Sequence, residues 1–149
     1  MIIKDISELP RKQRILALDV GDKFIGIAIS DINQSVASPL ATIQREKMSD
    51  FLPEFEKLLV KEEVGALVIG LPLNMDGKIG PNAQSIKQFA NNILKVIDIP
   101  IFLQDERMST IAVDNAMLEA DLSRQKRKKK KDELAATYIL QSALGRITY

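Results

Sequence analysis

The chain has 149 residues, of which 46% are hydrophobic and 28% charged, and a formal net charge of +1, which suits a single soluble globular domain with a substantial core. It contains no cysteine and no histidine, which excludes disulfides, thiolate chemistry, histidine-ligated zinc and a histidine general base. Any chemistry must come from carboxylates, hydroxyls, amides, lysine or arginine, and a bound metal is expected to be a hard, oxygen-liganded cation, Mg²⁺ or Mn²⁺.

The first 13 residues form a polar lead-in for which no structure is predicted. Two apolar runs follow, Ile15–Leu18 and Phe24–Ile29, and the Gly-Asp turn between them predicts a hairpin of buried strands. Asp19 comes directly after the first run. Because a carboxylate is costly to bury, it requires a metal ion, a hydrogen-bond network or solvent at the sheet edge. Gly26 interrupts the second run and indicates a close approach of backbone or ligand.

Beyond the hairpin, the sequence predicts a third strand over residues 36–43, which Pro39 confines to a sheet edge because proline has no N–H donor. The remaining pattern predicts helices over about 49–61, 83–97, 110–120 and 131–144, and buried strands over 65–71 and 99–103. This order implies an α/β fold with a five-stranded mixed sheet. Strands 1–3 are expected to be antiparallel, strands 1, 4 and 5 parallel, and helices to cover both faces. We expect one domain over residues 1–149.

Polar residues follow the three parallel strands at one edge of the predicted sheet. Asp19 follows the first strand, the loop 72–82 follows the fourth, and Asp105 and Glu106 follow the fifth. Open α/β sheets bind ligands at that edge. A single acid at a strand end is ordinarily a solvated turn residue, but two such positions at the same edge weaken that interpretation.

The last predicted helix adds a third carboxylate. Asp132 shares its apolar face with Ala135 and Ala136, whose small side chains allow the helix to approach the sheet and Asp19. The simpler interpretation is an acid in the first helical turn, favoured by the helix dipole, although Glu133 would serve that purpose from the solvent side. Three converging carboxylates repel unless divalent cations neutralise them. That arrangement suits two-metal phosphoryl chemistry, in which the cations activate water and steady the leaving oxygen.

The chain matches a known family in four ordered motifs, ILALDVGDKFIGIAISD, VIGLPLNMDGKIGPNA, DERMSTIAVDNAML and KKKDELAATYILQSAL, between about residues 14 and 144. With these motifs it resembles the YqgF-type, RuvC-like Holliday-junction-resolvase family of RNase H-fold proteins. The resemblance implies an RNase H-like fold and a metal-dependent endonuclease that resolves Holliday junctions or matures the 5′ end of precursor 16S rRNA. Carried over by motif, the catalytic and metal-binding acids are Asp19, Glu106 and Asp132, with Mg²⁺ or Mn²⁺ in a two-metal site.

One departure from other RuvC-like nucleases concerns the second acid. Those proteins carry an acid just after the fourth strand, where this chain has Leu71-Pro72-Leu73-Asn74, so the second acid is expected on the fifth strand instead. Asp76 could substitute, but an Asp-Gly pair is more often plain turn chemistry. Asp105 stays open as an alternative to Glu106.

Two groups of residues are predicted to contact the nucleic-acid backbone. Near the sheet edge these are Asn74, Arg107, Ser109 and Thr110, for which capping and loop structure are an equally weighted alternative. The segment 124–131 holds seven of the 21 basic residues and no acid, whereas the rest of the chain has 14 basic and 20 acidic residues. A basic segment on an acidic body suits an anionic polymer, although such runs are often merely solvated. Its predicted contacts are Arg124, Lys126, Arg127, Lys128, Lys129, Lys130 and Lys131.

The sequence leaves two other functions open. One is a non-catalytic nucleic-acid-binding factor in ribosome assembly. The other is an ATP-binding protein of the actin or sugar-kinase type, whose phosphate hairpin also follows a D-x-G pattern but whose second lobe does not fit in 149 residues. The expected partner is precursor rRNA or branched DNA, and a junction resolvase would need two sites and hence a homodimer. No apolar stretch reaches the ~18 residues of a membrane span and no signal-peptide pattern occurs, so we expect a cytoplasmic protein without membrane partners.

Overall fold

The computed structural model describes residues 1–74, 76–105 and 124–147, with the backbone alone for 124–131. The described residues form a mixed sheet of six strands in the order β1-β6-β5-β2-β3-β4. The strands are β1 (Ile2–Ile3), β2 (Arg14–Val20), β3 (Phe24–Ser30), β4 (Ala37–Gln44), β5 (Val64–Leu71) and β6 (Ile101–Asp105). The α-helices are α1 (Met48–Lys61), α2 (Pro81–Leu94) and α3 (Arg124–Leu144), and a 3₁₀ turn spans Ile6–Glu8.

The predicted pairing of the strands is confirmed. β2 and β3 form the hairpin, and β4 continues it antiparallel to β3. β2, β5 and β6 run parallel to one another, so their carboxyl ends meet at one edge of the sheet. This edge is where an open α/β sheet places a ligand site.

The N-terminal lead-in adds a sixth strand to the five that the sequence predicts. β1 pairs in parallel with β6 through Ile2 and Ile101 and through Ile3 and Phe102. The side chains of Ile3, Ile6 and Leu9 are buried against the core. A two-residue strand is too short to show a periodicity, and its partner lies about a hundred residues away, so local sequence patterns cannot reveal it.

β4 lies at the sheet edge, as Pro39 predicts. Pro39 faces Ala28 of β3 at a register shift between Ile27 and Ala28, where the regular ladder is interrupted. A proline is tolerated there because no neighbouring strand requires its missing N–H.

Each strand of the hairpin divides its side chains between two cores, because alternate residues point to opposite faces of a sheet. Leu16 and Leu18 of β2 pack with α1 and α2, whereas Ile15 and Ala17 pack with α3. The expected helices on both faces are therefore confirmed. The predicted helix over 110–120 lies outside the described residues.

The last helix begins earlier than its apolar pattern predicts. α3 starts at Arg124 instead of about residue 131, so the backbone of the basic segment forms its first two turns. Lysine and arginine are good helix formers, but they carry no apolar periodicity that would mark the start. None of the helices that the structure describes has the length and hydrophobicity of a membrane span.

Candidate active site

Asp19 lies near the carboxyl end of β2, in the middle of the sheet. It is half-buried and faces Gly26 of β3 directly across the antiparallel ladder. Residues that face each other in this way have α-carbons about 4.5–5.5 Å apart and point to the same face of the sheet. The side chain of Asp19 therefore shares the face of Gly26 and of Ala17, which is the face that α3 covers.

The main chain of α3 touches the sheet at Gly26. A Cβ atom at this position would overlap the main-chain carbonyl group of Asp132. The main chain of α3 thus lies against the bare α-carbon of Gly26, and Ala135 and Ala136 just beyond are buried in the same contact. The hairpin and the helix together bring the main chain of Asp132 against the residue that faces Asp19.

Asp132 is not an acid of the first helical turn. It is the ninth residue of α3, in the third turn, where the dipole of the helix N-terminus no longer favours a carboxylate. The simpler interpretation of this residue is therefore excluded. Its half-buried position beside Gly26 is the feature that remains to be explained.

The far end of α3 is fixed by side chains that hold the helix in register with the sheet. Gln104 of β6 donates from Nε2 to the Ser142 hydroxyl (3.3 Å) and accepts at Oε1 from the Arg146 guanidinium (3.1 Å). On the other side, the amide of Gln141 accepts from the Ala37 N–H of β4 (3.0 Å). The C-terminal end of α3 is therefore tied to both β4 and β6, and the contact at Gly26 fixes the helix again at Asp132.

The contacts of Gln104 also assign the faces of β6. Gln104 points to α3, and Asp105 therefore points to the α1 and α2 face, where its pairing partner Leu71 is packed. Asp19 and Asp105 occupy opposite faces of the sheet. Glu106 lies outside the described residues, as do Arg107, Ser109 and Thr110.

Asp19 and Asp132 offer carboxylate oxygens, which are the ligands that a hard divalent cation prefers. Gly26, which has no side chain, lies opposite Asp19 and against the Asp132 main chain. In the part of the chain that the structure describes, no group of three or more acidic side chains is arranged to hold a metal ion. The described residues thus supply two of the three predicted acids.

The polar groups of the loop after β5 form hydrogen bonds within the loop. The Asp76 carboxylate accepts from the Lys78 N–H (2.9 Å), and the Asn74 main chain is bonded to Gly77 and Lys78. The side chain of Asn74 is exposed and lies beside Gly80, just before α2. Turn chemistry therefore accounts for Asp76, while a phosphate contact by Asn74 stays a prediction. The side chains of the basic segment 124–131 lie outside what the structure describes.

A cleft of about 240 Å³ opens at the same edge of the sheet, on the α2 side of the β2–β3 turn. The residues that line it are Val20, Gly21, Asp22, Arg45, Pro72, Asn82, Ser85 and Ile86. Sequence reasoning did not single out Arg45, because it stands alone after β4 in no recognisable motif. Only the fold places it beside the turn that follows Asp19.

The sequence of the chain matches a known family and known proteins. The model of a family described as RuvX, Holliday junction resolvase, matches residues 13–146. A protein of Rhodobacter capsulatus named "Putative pre-16S rRNA nuclease" is 48% identical over 143 residues, which cover 96% of this chain and 90% of that protein. A protein of Paramagnetospirillum magneticum with the same name is 45% identical over 139 residues, covering 93% and 90%.

Two solved structures share the fold at low sequence identity. The resolvase of fowlpox virus in complex with Holliday junction DNA superimposes with a TM-score of 0.55 at 12% identity, over 89% of this chain and 97% of that one. The RuvC protein of Thermus thermophilus in complex with a Holliday junction gives 0.55 at 11% identity, over 90% and 95%. The expected RNase H-like architecture of the resolvases is therefore confirmed.

Proposed function

Because the chain belongs to the RuvX family of Holliday junction resolvases, we propose that it is a metal-dependent endonuclease. It cleaves structured nucleic acid at an active site that contains Asp19 and Asp132. The observation that carries the proposal is the contact of the Asp132 main chain with Gly26, directly opposite Asp19. It joins two acids that are 113 positions apart in the sequence. A stable fold does not require one acid in the middle of a sheet and a second acid on the helix packed against it. Their placement therefore favours a functional role.

Asp19, Asp132 and Glu106 are the residues that would hold Mg²⁺ or Mn²⁺. When bound, such a cation neutralises the charge that develops on the phosphoryl group and lowers the pKa of water for attack. Asp19 would contribute from a central strand and Asp132 from a helix that is packed against the sheet, and sites built on such rigid elements are positioned precisely. The absence of a side chain at Gly26 lets the main chain of Asp132 lie against the strand opposite Asp19.

The alternation of β6 argues against Asp105 as the third acid. Gln104 points to the α3 face, which is the face of Asp19, and Asp105 has the opposite parity. Asp105 therefore points away from Asp19, and Glu106, the acid carried over from the family motif, is retained as the third ligand.

The substrate that the relatives' names favour is precursor 16S rRNA, with a branched DNA junction as the alternative that the family description favours. The basic segment 124–131 forms the start of α3 and directly precedes Asp132. Its lysines and arginines would therefore bind backbone phosphates next to the cleaved bond. Backbone contacts carry no sequence information, so structure in the nucleic acid would select the site. Precursor rRNA places the protein in the cytoplasm, and junction resolution would require a homodimer.

The test is cleavage of labelled precursor 16S rRNA and labelled four-way DNA junctions, side by side, with Mg²⁺, with Mn²⁺ and with chelator. We expect cleavage of at least one substrate that requires the cation and is lost in Asp19→Asn. Undiminished cleavage by Asp19→Asn would overturn the proposal. Salt-sensitive RNA binding without cleavage, unaffected by metal or by Asp19→Asn, would identify a non-catalytic assembly factor instead.

A further inference from the structure

We propose that the cleft beside the β2–β3 turn binds a second phosphate of the substrate strand, with Arg45 as its cationic contact. This inference rests on the proposed nuclease function, since it assigns the path of the strand that is cleaved. The cleft lies at the carboxyl edge of the sheet, between the turn, Arg45 after β4 and the first turns of α2. It is a site on the opposite face of the sheet from the acid pair.

Arg45 is held in a fixed orientation at the cleft. Its Nη1 donates to the Gly21 carbonyl (3.1 Å), its main-chain N–H donates to the Lys23 carbonyl (2.8 Å), and its guanidinium carbon lies 5.7 Å from the centre of the Phe89 ring. The turn and the ring therefore position the guanidinium before any ligand arrives. A pre-positioned arginine loses less side-chain freedom on binding an anion than a free one does.

The charge of Arg45 is not neutralised by an ion pair within the described residues, where the salt bridges join Arg14 to Glu62 and Lys57 to Glu54. A guanidinium carries five N–H donors, of which the described structure engages one, with Gly21. The remaining donors suit the bidentate geometry that arginine adopts with phosphate. Asn82 and Ser85 on the facing wall are exposed and add amide and hydroxyl donors.

The size of the cleft favours a single phosphate group over a whole nucleotide. Its volume of about 240 Å³ falls below the ~300–1,000 Å³ of sites that enclose small molecules. The cleft also lies on the opposite face of the sheet from Asp19, so it is distinct from the proposed cleavage site. A phosphate that is part of a longer strand is the ligand that fits both facts.

The distance to the acid pair fits a neighbouring phosphate of one strand. Gly21, which lines the cleft, follows Asp19 by two residues, so the α-carbons of the two residues are at most about 7 Å apart. A nucleic-acid strand carries one phosphate per about 3.4 Å of rise, so a strand that passes from Asp19 over the sheet edge to the cleft brings a phosphate there a few nucleotides from the cleaved bond. Binding there would fix the direction of the strand across the sheet edge.

One acid, Asp22, also lines the cleft. Its side chain is exposed, so its repulsion of an anion is screened by solvent and salt. If the cleft binds phosphate, removal of this charge should strengthen binding, which makes Asp22→Asn an informative variant. A cleft that only braces the turn predicts no such gain.

The experiment measures binding of a labelled fragment around the precursor 16S rRNA 5′ end over a series of salt concentrations, with every variant made in an Asp19→Asn background. Binding is thus read without cleavage, and a failure of the nuclease proposal appears separately, as undiminished cleavage by Asp19→Asn. The variants are Arg45→Ala, Ser85→Glu and Asp22→Asn. The control is Lys95→Ala, which removes one cation just beyond the other end of α2, about 15 Å along the helix axis from Ser85.

We expect Arg45→Ala to weaken binding about tenfold and to reduce the salt slope by about one. Ser85→Glu, which does not touch the turn, should weaken binding similarly, and Asp22→Asn should strengthen it, while Lys95→Ala changes little. If Ser85→Glu and Asp22→Asn both bind like the parent protein, the proposal is wrong and Arg45 serves only to brace the turn. Stabilisation of the wild type by ATP or inorganic phosphate that Arg45→Ala removes, with RNA binding unchanged, would also overturn it.

Discussion

Asp132 lies with its main chain against the α-carbon of Gly26, and this contact fixes the distance between α3 and the sheet at the second proposed acid. A methyl group on Gly26 would occupy the space of the Asp132 carbonyl, so the helix would have to move away from the sheet. The strand residue opposite Gly26 is Asp19. Movement of the helix therefore separates the two carboxylates.

We expect Gly26→Ala to lower the free energy of unfolding by about 1–3 kcal/mol, because it overpacks a closed interface. Cleavage should fall by more than this loss of stability explains, measured at a temperature where the variant is fully folded. The matched control is Gly145→Ala at the end of α3, where a Cβ would meet its nearest atoms at 3.5 and 3.6 Å, an ordinary contact. Normal cleavage by a folded Gly26→Ala protein would contradict the assigned geometry.

Replacement of either described acid should abolish cleavage and leave the fold intact. For Asp19→Asn and Asp132→Asn we expect a loss of at least about 100-fold in kcat, above the 10–100-fold typical of groups that only support a metal ligand. Thermal stability without metal should be unchanged or higher, because one of two repelling carboxylates is gone. A variant that melts far below the wild type would instead indicate a structural role for that acid.

Glu106 and Asp105 are adjacent in sequence, and we expect opposite results for them. Glu106→Gln should lose cleavage as Asp19→Asn does, whereas Asp105→Asn should retain most of it, because Asp105 faces α1 and α2. Each variant serves as the control for the other. The reverse result in the same cleavage assay would transfer the third acid to Asp105.

Binding of the cation should be visible without any substrate. A ligand that binds only the folded state raises its apparent stability. We expect Mg²⁺ or Mn²⁺ to raise the midpoint of thermal unfolding of the wild type, and the shift to be absent in Asp19→Asn. Equal shifts in both proteins would show that the stabilising cation binds elsewhere.

Asp31 provides a prediction for pH that is independent of the active site. A hydrogen bond from the Val36 N–H (2.9 Å), helped by the N–H and hydroxyl of Ser35, holds the pKa of Asp31 below its ordinary value. Since the folded pKa is depressed, the stabilisation is present above the unfolded pKa of about 3.9 and is lost as the pH falls through the folded pKa.

Asp31→Ala should therefore melt below the wild type at neutral pH, and the gap between the two proteins should narrow in acid below about pH 4. Thermal unfolding followed by circular dichroism over this pH range measures the gap. Ser7→Ala, at a hydroxyl that bonds Asp5 in the lead-in, tests whether any exposed carboxylate contact gives the same effect. A gap that stays constant in acid would show that the Asp31 contact does not depend on its charge.

The strongest sequence patterns predicted the centre of the fold. The two runs around the Gly-Asp turn gave a correct hairpin, and Gly26 correctly indicated a close approach of backbone. These predictions succeed because buried central strands need apolar residues on both faces and because only glycine tolerates contact between two main chains. Asp19 was recognisable as a candidate site residue because it is a charged residue directly after a run of apolar ones.

Features that depend on distant contacts were not predictable. β1 exists because Ile2 and Ile3 find an open strand edge at β6, and no local pattern records that partner. Arg45 became notable only when the fold placed it beside Gly21 and Phe89. The early start of α3 was missed because a lysine-rich segment has helix propensity without an apolar face.

The two outer strands have a consequence for how copies of this protein can associate. An open strand edge invites pairing with another chain, but β1 offers only two residues. At the other edge, Pro39 has no N–H to donate and the Ala37 N–H is already bonded to Gln141. The sheet therefore resists continuation into a neighbouring molecule. Two copies that meet on one branched substrate would have to touch through helices or loops, and each would keep a complete sheet of its own.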